Sequence, residues 1–187
     1  YITNGQNADV VIVVAKTDPA QGAKGTSLVL VDAGTEGFER GRNLDKIGQH
    51  SADTSELFFN DVRVPMTNIL GGEGRGFIHL MEELPQERLG IAVGGQAAAQ
   101  RAFDEAVKFT KDRKAFGKTV FEFQNTKFVL ADLKAKLQVG WAHLDWAIKK
   151  PLAGELTTDE ASAAKLWHTD LQWEACDVAL QLHGGAG

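Results

Sequence analysis

The apolar positions of this chain change their period once. Through the first third they gather in short β-branched runs, and beyond it they recur at spacings of three and four. Asp9-Val10-Val11-Ile12-Val13-Val14-Ala15 is apolar and β-branched enough to predict a buried strand. Thr26-Ser27-Leu28-Val29-Leu30-Val31 predicts a second, after the turn chemistry of Asp18-Pro19-Ala20-Gln21-Gly22. Phe38 to Leu44 is more polar and suits an edge. Glu56 to Pro65 reads as a strand whose end alternates, closed by a proline with no N–H for a ladder. Tyr1-Ile2-Thr3-Asn4-Gly5 reads as a strand entering a turn. No helical pattern interrupts these runs, so an antiparallel sheet or barrel is expected.

The helical part comes after a glycine-rich stretch, Asn68 to Gly76. Residues 77–112 are helical in character, with Pro85 inside. Proline removes a donor and crowds the preceding turn, so a short helix to about Leu84 and a longer one starting at Pro85 are expected, with a kink as the alternative. From about Glu122 to Lys149, Leu130, Leu133, Leu137, Trp141, Leu144 and Ile148 form one stripe, which Pro151 and Gly154 end. Thr157 or Thr158 caps a third helix, with Asp159 and Glu160 in its first turn and a stripe through Ala164, Leu171, Ala175, Val178 and Leu182. The fold class expected is α+β: 1–66 part of a β-domain, 67–76 a hinge, and 77–187 most of an antiparallel four-helix bundle. Both ends read as interior points of a longer protein.

Composition narrows the functional classes. The 20 Lys and Arg among 187 residues are scattered and the net charge is −5, which argues against a nucleic-acid footprint. One cysteine, Cys176, makes no internal disulfide and fits a reducing compartment. No apolar run approaches the roughly 20 residues a membrane span needs.

Several segments carry candidate chemistry. The loop Gly71 to Gly76 lacks the spacing of a dinucleotide fingerprint and reads as a hinge rather than a phosphate site. Asp112 to Lys118 is expected to close the first long helix, with Gly117 stopping it. Arg113 there is the residue type that grips a diphosphate, and Phe116, between charges and glycine, suits stacking. His183 precedes Gly184-Gly185, whose bare backbone allows close approach of a ligand. A structural role for that histidine is the commoner reading. The remaining histidines show no metal-ligand spacing, so no metal is assigned. Met81 to Leu89 sets Glu82, Glu83, Glu87 and Arg88 around Pro85. Ordinarily such charges form a solvated helix face.

Four of these segments together resemble one family. Tyr1 to Gly5, Asp53-Thr54 with Phe59 to Pro65, Arg113 to Gly117, and Gln181 to Gly187 are similar to segments of the acyl-CoA dehydrogenases, in that family's order and spacing. The resemblance implies a middle β-domain and a carboxy-terminal bundle of a homotetrameric flavoprotein. Such an enzyme binds FAD, removes two hydrogens from an acyl-CoA thioester and passes electrons to an electron-transferring flavoprotein. It implies that Tyr1, Ile2 and Thr3 lie against the flavin ring, and that Arg113, Phe116, Gln124, Gln181, Gly184 and Gly185 reach the FAD of a neighbouring subunit. At the site matching Glu87, long-chain and isovaleryl members carry the base that takes the α proton while hydride passes to flavin N5. Other members carry it beyond Gly187. Arg88 matches an arginine that holds the CoA or its pocket. Bacterial cytoplasm and mitochondrial matrix both fit. Alternatives are an acyl-CoA oxidase or flavin monooxygenase of the same fold, or a non-catalytic helical interaction protein.

Overall fold

In the computed structural model, which describes residues 1–187, every strand pairing is antiparallel. Strands β1 (Ile2–Thr3), β4 (Phe38–Asn43) and β5 (Thr54–Phe59) form a sheet in the order β1-β5-β4, so the polar β4 is at an edge as its sequence suggests. Strands β2 (Val10–Lys16) and β3 (Thr26–Asp32) pair along their whole length, Val10 opposite Asp32 and Lys16 opposite Thr26. The connection between them is a short 3-10 turn that Asp18 caps by accepting the Ala20 N–H at 3.0 Å. No barrel closes.

The glycine-rich loop packs onto β3. Leu70 N–H donates to the Leu28 carbonyl at 2.9 Å, and Gly74 N–H to Ser27 Oγ at 2.8 Å. A Cβ on Gly76 would stand 2.8 Å from the Ser27 carbonyl carbon. That approach admits only glycine.

Two compact units divide the chain, Tyr1–Glu82 and Glu83–Gly187. The second holds three long helices: α1 (Gly76–Asp112) from Glu83 onward, α2 (Gln124–Ala147) and α4 (Thr158–His183), with a short α3 (Lys149–Ala153) between the last two. Thr157 caps α4 in a reciprocal capping box with Glu160. The core is stacked in three clusters. Leu89 and Ala92 of α1 meet Leu144 and Ala147 of α2 and Ala164 of α4. Ala99 meets Leu133, Leu137, Leu171 and Ala175. Ala106 meets Leu130 and Ala179. Along these clusters α1 and α4 run parallel to each other and antiparallel to α2, as a bundle requires.

Four expectations are corrected. Helix α1 continues through Pro85 instead of restarting there. One lost ladder bond is outweighed when the turns beyond it bury Leu89, Ala92 and Ala99. Strand β5 stops at Phe59, because the chain turns at Asp61, whose φ is +51°. Strand β2 is not fully buried: Val10, Ile12 and Val14 face outward, since the two-stranded sheet covers only one of its faces. The stripe of α2 passes through Gly140 and Ala147 rather than Trp141 and Ile148, which are exposed.

Leu137 is fully buried at the centre of the middle cluster. Leu137→Ala should cost about 2–5 kcal/mol of unfolding free energy, read as a lower denaturant midpoint with an unchanged slope.

Candidate functional site

In the sheet unit, Tyr1 and Ile2 line a groove of about 500 Å³ with Val11 to Val14 of β2 and Glu56 to Phe59 of β5. Tyr1 is 80% exposed, so its ring is open to a ligand. Thr3 pairs with Thr54 and is exposed beside this groove. Strand β1 is only two residues long and is held by the turn after it. Asp53 accepts the Gln6 N–H at 2.7 Å and the Asn7 amide at 3.0 Å. Its carbonyl accepts Asn4 N–H at 3.1 Å. These donors, the Gln6 N–H first, hold the Asp53 carboxyl below its ordinary range. Depressed in the fold, this carboxylate supports the turn fully above the ordinary aspartate value and loses that support as pH falls from there through its lowered value.

At one end of the helical unit, the segment expected to close α1 does something else. Helix α1 ends at Asp112, and β6 (Lys114–Ala115) and β7 (Lys118–Thr119) form a small hairpin. Its two turn residues, Phe116 and Gly117, have φ of +52° and +82°. This is the two-residue hairpin turn that needs left-handed backbone at both positions. Gly117 therefore serves the hairpin rather than the helix stop. Phenylalanine suffers a steric penalty in that region. The turn holds its ring 96% exposed, edge-on to Phe123 at 6.4 Å between centroids.

Arg113 and His183 line one shallow cavity of about 350 Å³ with Glu105, Lys108, Phe109 and Asp112. The His183 ring stacks on Phe109 at 4.2 Å and its Nδ1–H donates to the Ala179 carbonyl at 2.6 Å, which is a structural role. Helix α4 ends at His183. Gly184 comes next with φ +58° and ψ −131°, and a Cβ on Gly184 or Gly185 would meet nothing within 4 Å. Their main chain is thus open to solvent. Gln181 and Gln124, the first residue of α2, are exposed. An exposed guanidinium, a second cation at Lys108, bare glycine backbone and a projecting aromatic ring suit a diphosphate joined to a flat base. By type these groups fit the adenosine diphosphate part of FAD, with the Glu105 and Asp112 carboxylates sharing the cavity beside the two cations.

On α1, Glu82 lies 3.5 Å from His79 Nδ1, whereas Glu83 and Glu87 have no cation within 4 Å. Glu87 is exposed one turn after Glu83. Arg88 Nη1 donates to Ser162 Oγ on α4 at 3.3 Å, and that hydroxyl donates to the Thr158 carbonyl at 2.6 Å. Ser162 is 74 residues from Arg88, and Asp53 acts across 47 residues on Gln6. Neither partnership has a local sequence signal.

Comparison with known proteins covers the chain from end to end. A family model described as acyl-CoA dehydrogenase, middle domain, matches residues 1–62. One described as acyl-CoA dehydrogenase, C-terminal domain, matches residues 74–187. The mitochondrial long-chain specific acyl-CoA dehydrogenase of Sus scrofa is 46% identical over 189 residues, covering 100% of this chain and 44% of that protein. The CarC subunit of the caffeyl-CoA reductase-Etf complex of Acetobacterium woodii is 37% identical over 187 residues, covering 100% and 49%. The crystal structure of acyl-CoA dehydrogenase from Geobacillus kaustophilus superposes with a TM-score of 0.96 at 45% identity, over 99% of this chain and 49% of that one. The chain spans about half the length of the curated relatives it matches.

Phe116→Asn keeps a residue that tolerates left-handed backbone and removes the ring. The thermal midpoint should stay level or rise, because the steric penalty of about 1 kcal/mol is relieved. A clear fall would show that the ring is there for packing.

Proposed function

Since this chain belongs to the acyl-CoA dehydrogenase family, we propose that the protein dehydrogenates acyl-CoA thioesters at the α and β carbons, with Glu87 as the base. The observation that carries this reading is the match of residues 1–62 and 74–187 to the two domain types. Within it, Glu87 of α1 is free of ion pairs and stands directly beside Arg88, which reaches Ser162. The α proton of a thioester is weakly acidic, so the base must sit within about 3 Å of the carbon, and bound substrate must shield the exposed Glu87 from water. Glu87 takes that proton, the β carbon gives up a hydride, and the product is the α,β-unsaturated thioester. Bound FAD supplies the hydride acceptor. Arg88, hydrogen-bonded to Ser162, offers its remaining N–H groups to the substrate or its pocket.

Binding of the cofactor falls to the groove beside β1 and to the hairpin end of the helical unit. Tyr1, Ile2 and Thr3 offer an aromatic cover and backbone groups to the flavin ring. Arg113, Phe116, Gln124, Gln181, Gly184 and Gly185 offer charge, stacking and bare backbone to the adenosine diphosphate of a neighbouring subunit's FAD. A homo-oligomer is required by that sharing, and tetramers are typical of the family. The outer faces of α2 and α4 agree: Phe128, Val139 and Trp146 on one, Leu166, Trp173 and Leu180 on the other, are all exposed. The electrons pass to an electron-transferring flavoprotein, and the relative named as part of an Etf complex supports that partner. Homologues in bacteria and in mitochondria leave the bacterial cytoplasm or the mitochondrial matrix as the compartment. No helix is long and apolar enough to cross a membrane.

Glu87→Gln in the full-length protein should retain FAD and bind acyl-CoA, yet slow flavin reduction by substrate at least about a hundredfold, the scale of a lost general base. Anaerobic stopped-flow spectroscopy reads this directly. Rapid reduction in the variant would move the base elsewhere.

A further inference from the structure

Besides the buried hydroxyls of Thr110 and Thr126, the core of the helical unit carries a polar layer shared by its three long helices. Gln96 of α1 and His168 of α4 are fully buried, and His143 of α2 is half-buried. Gln96 Nε2 donates to the Leu137 carbonyl at 2.9 Å. His168 Nδ1 lies 2.9 Å from Gln96 Oε1, and His143 Nδ1 lies 3.0 Å from His168 Nε2. The first link sets the direction of the others. A carbonyl only accepts, so Gln96 turns its NH2 to Leu137 and its oxygen to His168. That oxygen only accepts, so His168 carries its proton on Nδ1 and leaves Nε2 bare. The bare nitrogen accepts from His143 Nδ1–H. A second proton on His168 would reverse this last link and leave an imidazolium buried. The groups facing that ring are Gln96 from α1, His143 from α2 and the Trp167 edge from its own helix. No carboxylate oxygen lies within 4 Å of either imidazole.

Two mid-helix glycines make room for this layer. A Cβ on Gly140 of α2 would overlap Gln96 Oε1 and stand 2.9 Å from the Trp167 ring. A Cβ on Gly95 of α1 would stand 3.0 Å from the His168 carbonyl oxygen. Glycine inside a helix is unfavourable by roughly 0.5–1 kcal/mol relative to alanine, so the close approach here is maintained against local propensity.

We infer that this layer is an acid-sensitive clamp, which holds α1, α2 and α4 together while His168 is neutral and releases them when it is protonated. Burial, and secondarily the neighbouring His143, push His168 down from 6.5 to about 4. The unfolded or opened chain therefore binds the extra proton. The clamp's contribution is complete above the ordinary histidine value and is lost as pH falls from there toward 4.

Hydrogen exchange with mass spectrometry on the full-length protein, from about pH 7.5 to about pH 4.5 and corrected for intrinsic rates, tests this. Peptides containing Gly95, Gly140 and His168 should open together. Their opening constant should rise by up to about tenfold per pH unit below the ordinary histidine range. His168→Gln keeps a donor and an acceptor but does not titrate, so it should flatten that slope while His143 remains. His143→Ala, at the outer end of the chain, removes a neighbour that holds His168 down, so the rise in opening should level off at a higher pH, and it serves where the first variant does not fold. An unchanged slope in His168→Gln, or an unchanged levelling-off in His143→Ala, overturns the proposal.

Discussion

The helical unit depends on a match between small and large residues repeated every seven positions. Ala92, Ala99 and Ala106 of α1 each enter a different core cluster, and each meets one of Leu144, Leu137 and Leu130 of α2, also seven apart. Alanine on one helix lets leucine from the next reach the axis, so the layers fill without strain. The same repeat leaves one polar position between Ala92 and Ala99, and Gln96 occupies it. An apolar stack tolerates such a group only when every polar atom is partnered. Here the partners come from the other two helices.

The rigidity of this stack sets the geometry at its two ends. At one end α1 continues through Pro85, so the turn bearing Glu87 is an extension of a helix already anchored by Leu89. At the other, α1 stops at Asp112 and the chain reverses in a hairpin too short to fold alone. Its Val120 N–H donates back to the Arg113 carbonyl at 2.8 Å, and Glu122 accepts the Thr119 N–H. A phenylalanine in left-handed backbone persists there because the flanking contacts leave no alternative.

Much of this was legible in the sequence, and the limits were physical. The period of three and four located the helices and most of the buried stripe, because burial selects residue type directly. The Thr157-Thr158 pair marks the start of its helix through capping chemistry, and the structure gives the cap to Thr157. The strand pattern marked β2 and β3 but overstated the burial of Val10, Ile12 and Val14, since β-branched residues signal a strand rather than its covering. Pro85 misled because a propensity of about 3 kcal/mol is weighed against tertiary burial that no local window contains. The Phe116 turn was hidden because its glycine stands at a position equally suited to ending a helix. For the candidate site, residue types suggested chemistry at Arg113 and Phe116. The choice of Glu87 over Glu83 rested on resemblance alone, and the structure leaves both free of ion pairs. Arg88 and Ser162, or Gln96 and His168, meet across more than seventy residues, and such pairs leave no trace in spacing.

The central claim is that the full-length protein uses these elements to dehydrogenate acyl-CoA. Mixing the purified flavin-loaded protein anaerobically with a saturated straight-chain acyl-CoA tests it most directly. The account predicts loss of the yellow oxidised-flavin absorbance, with one α,β-unsaturated thioester formed per flavin reduced. A protein that holds no flavin, or whose flavin stays oxidised through a series of chain lengths, would contradict it.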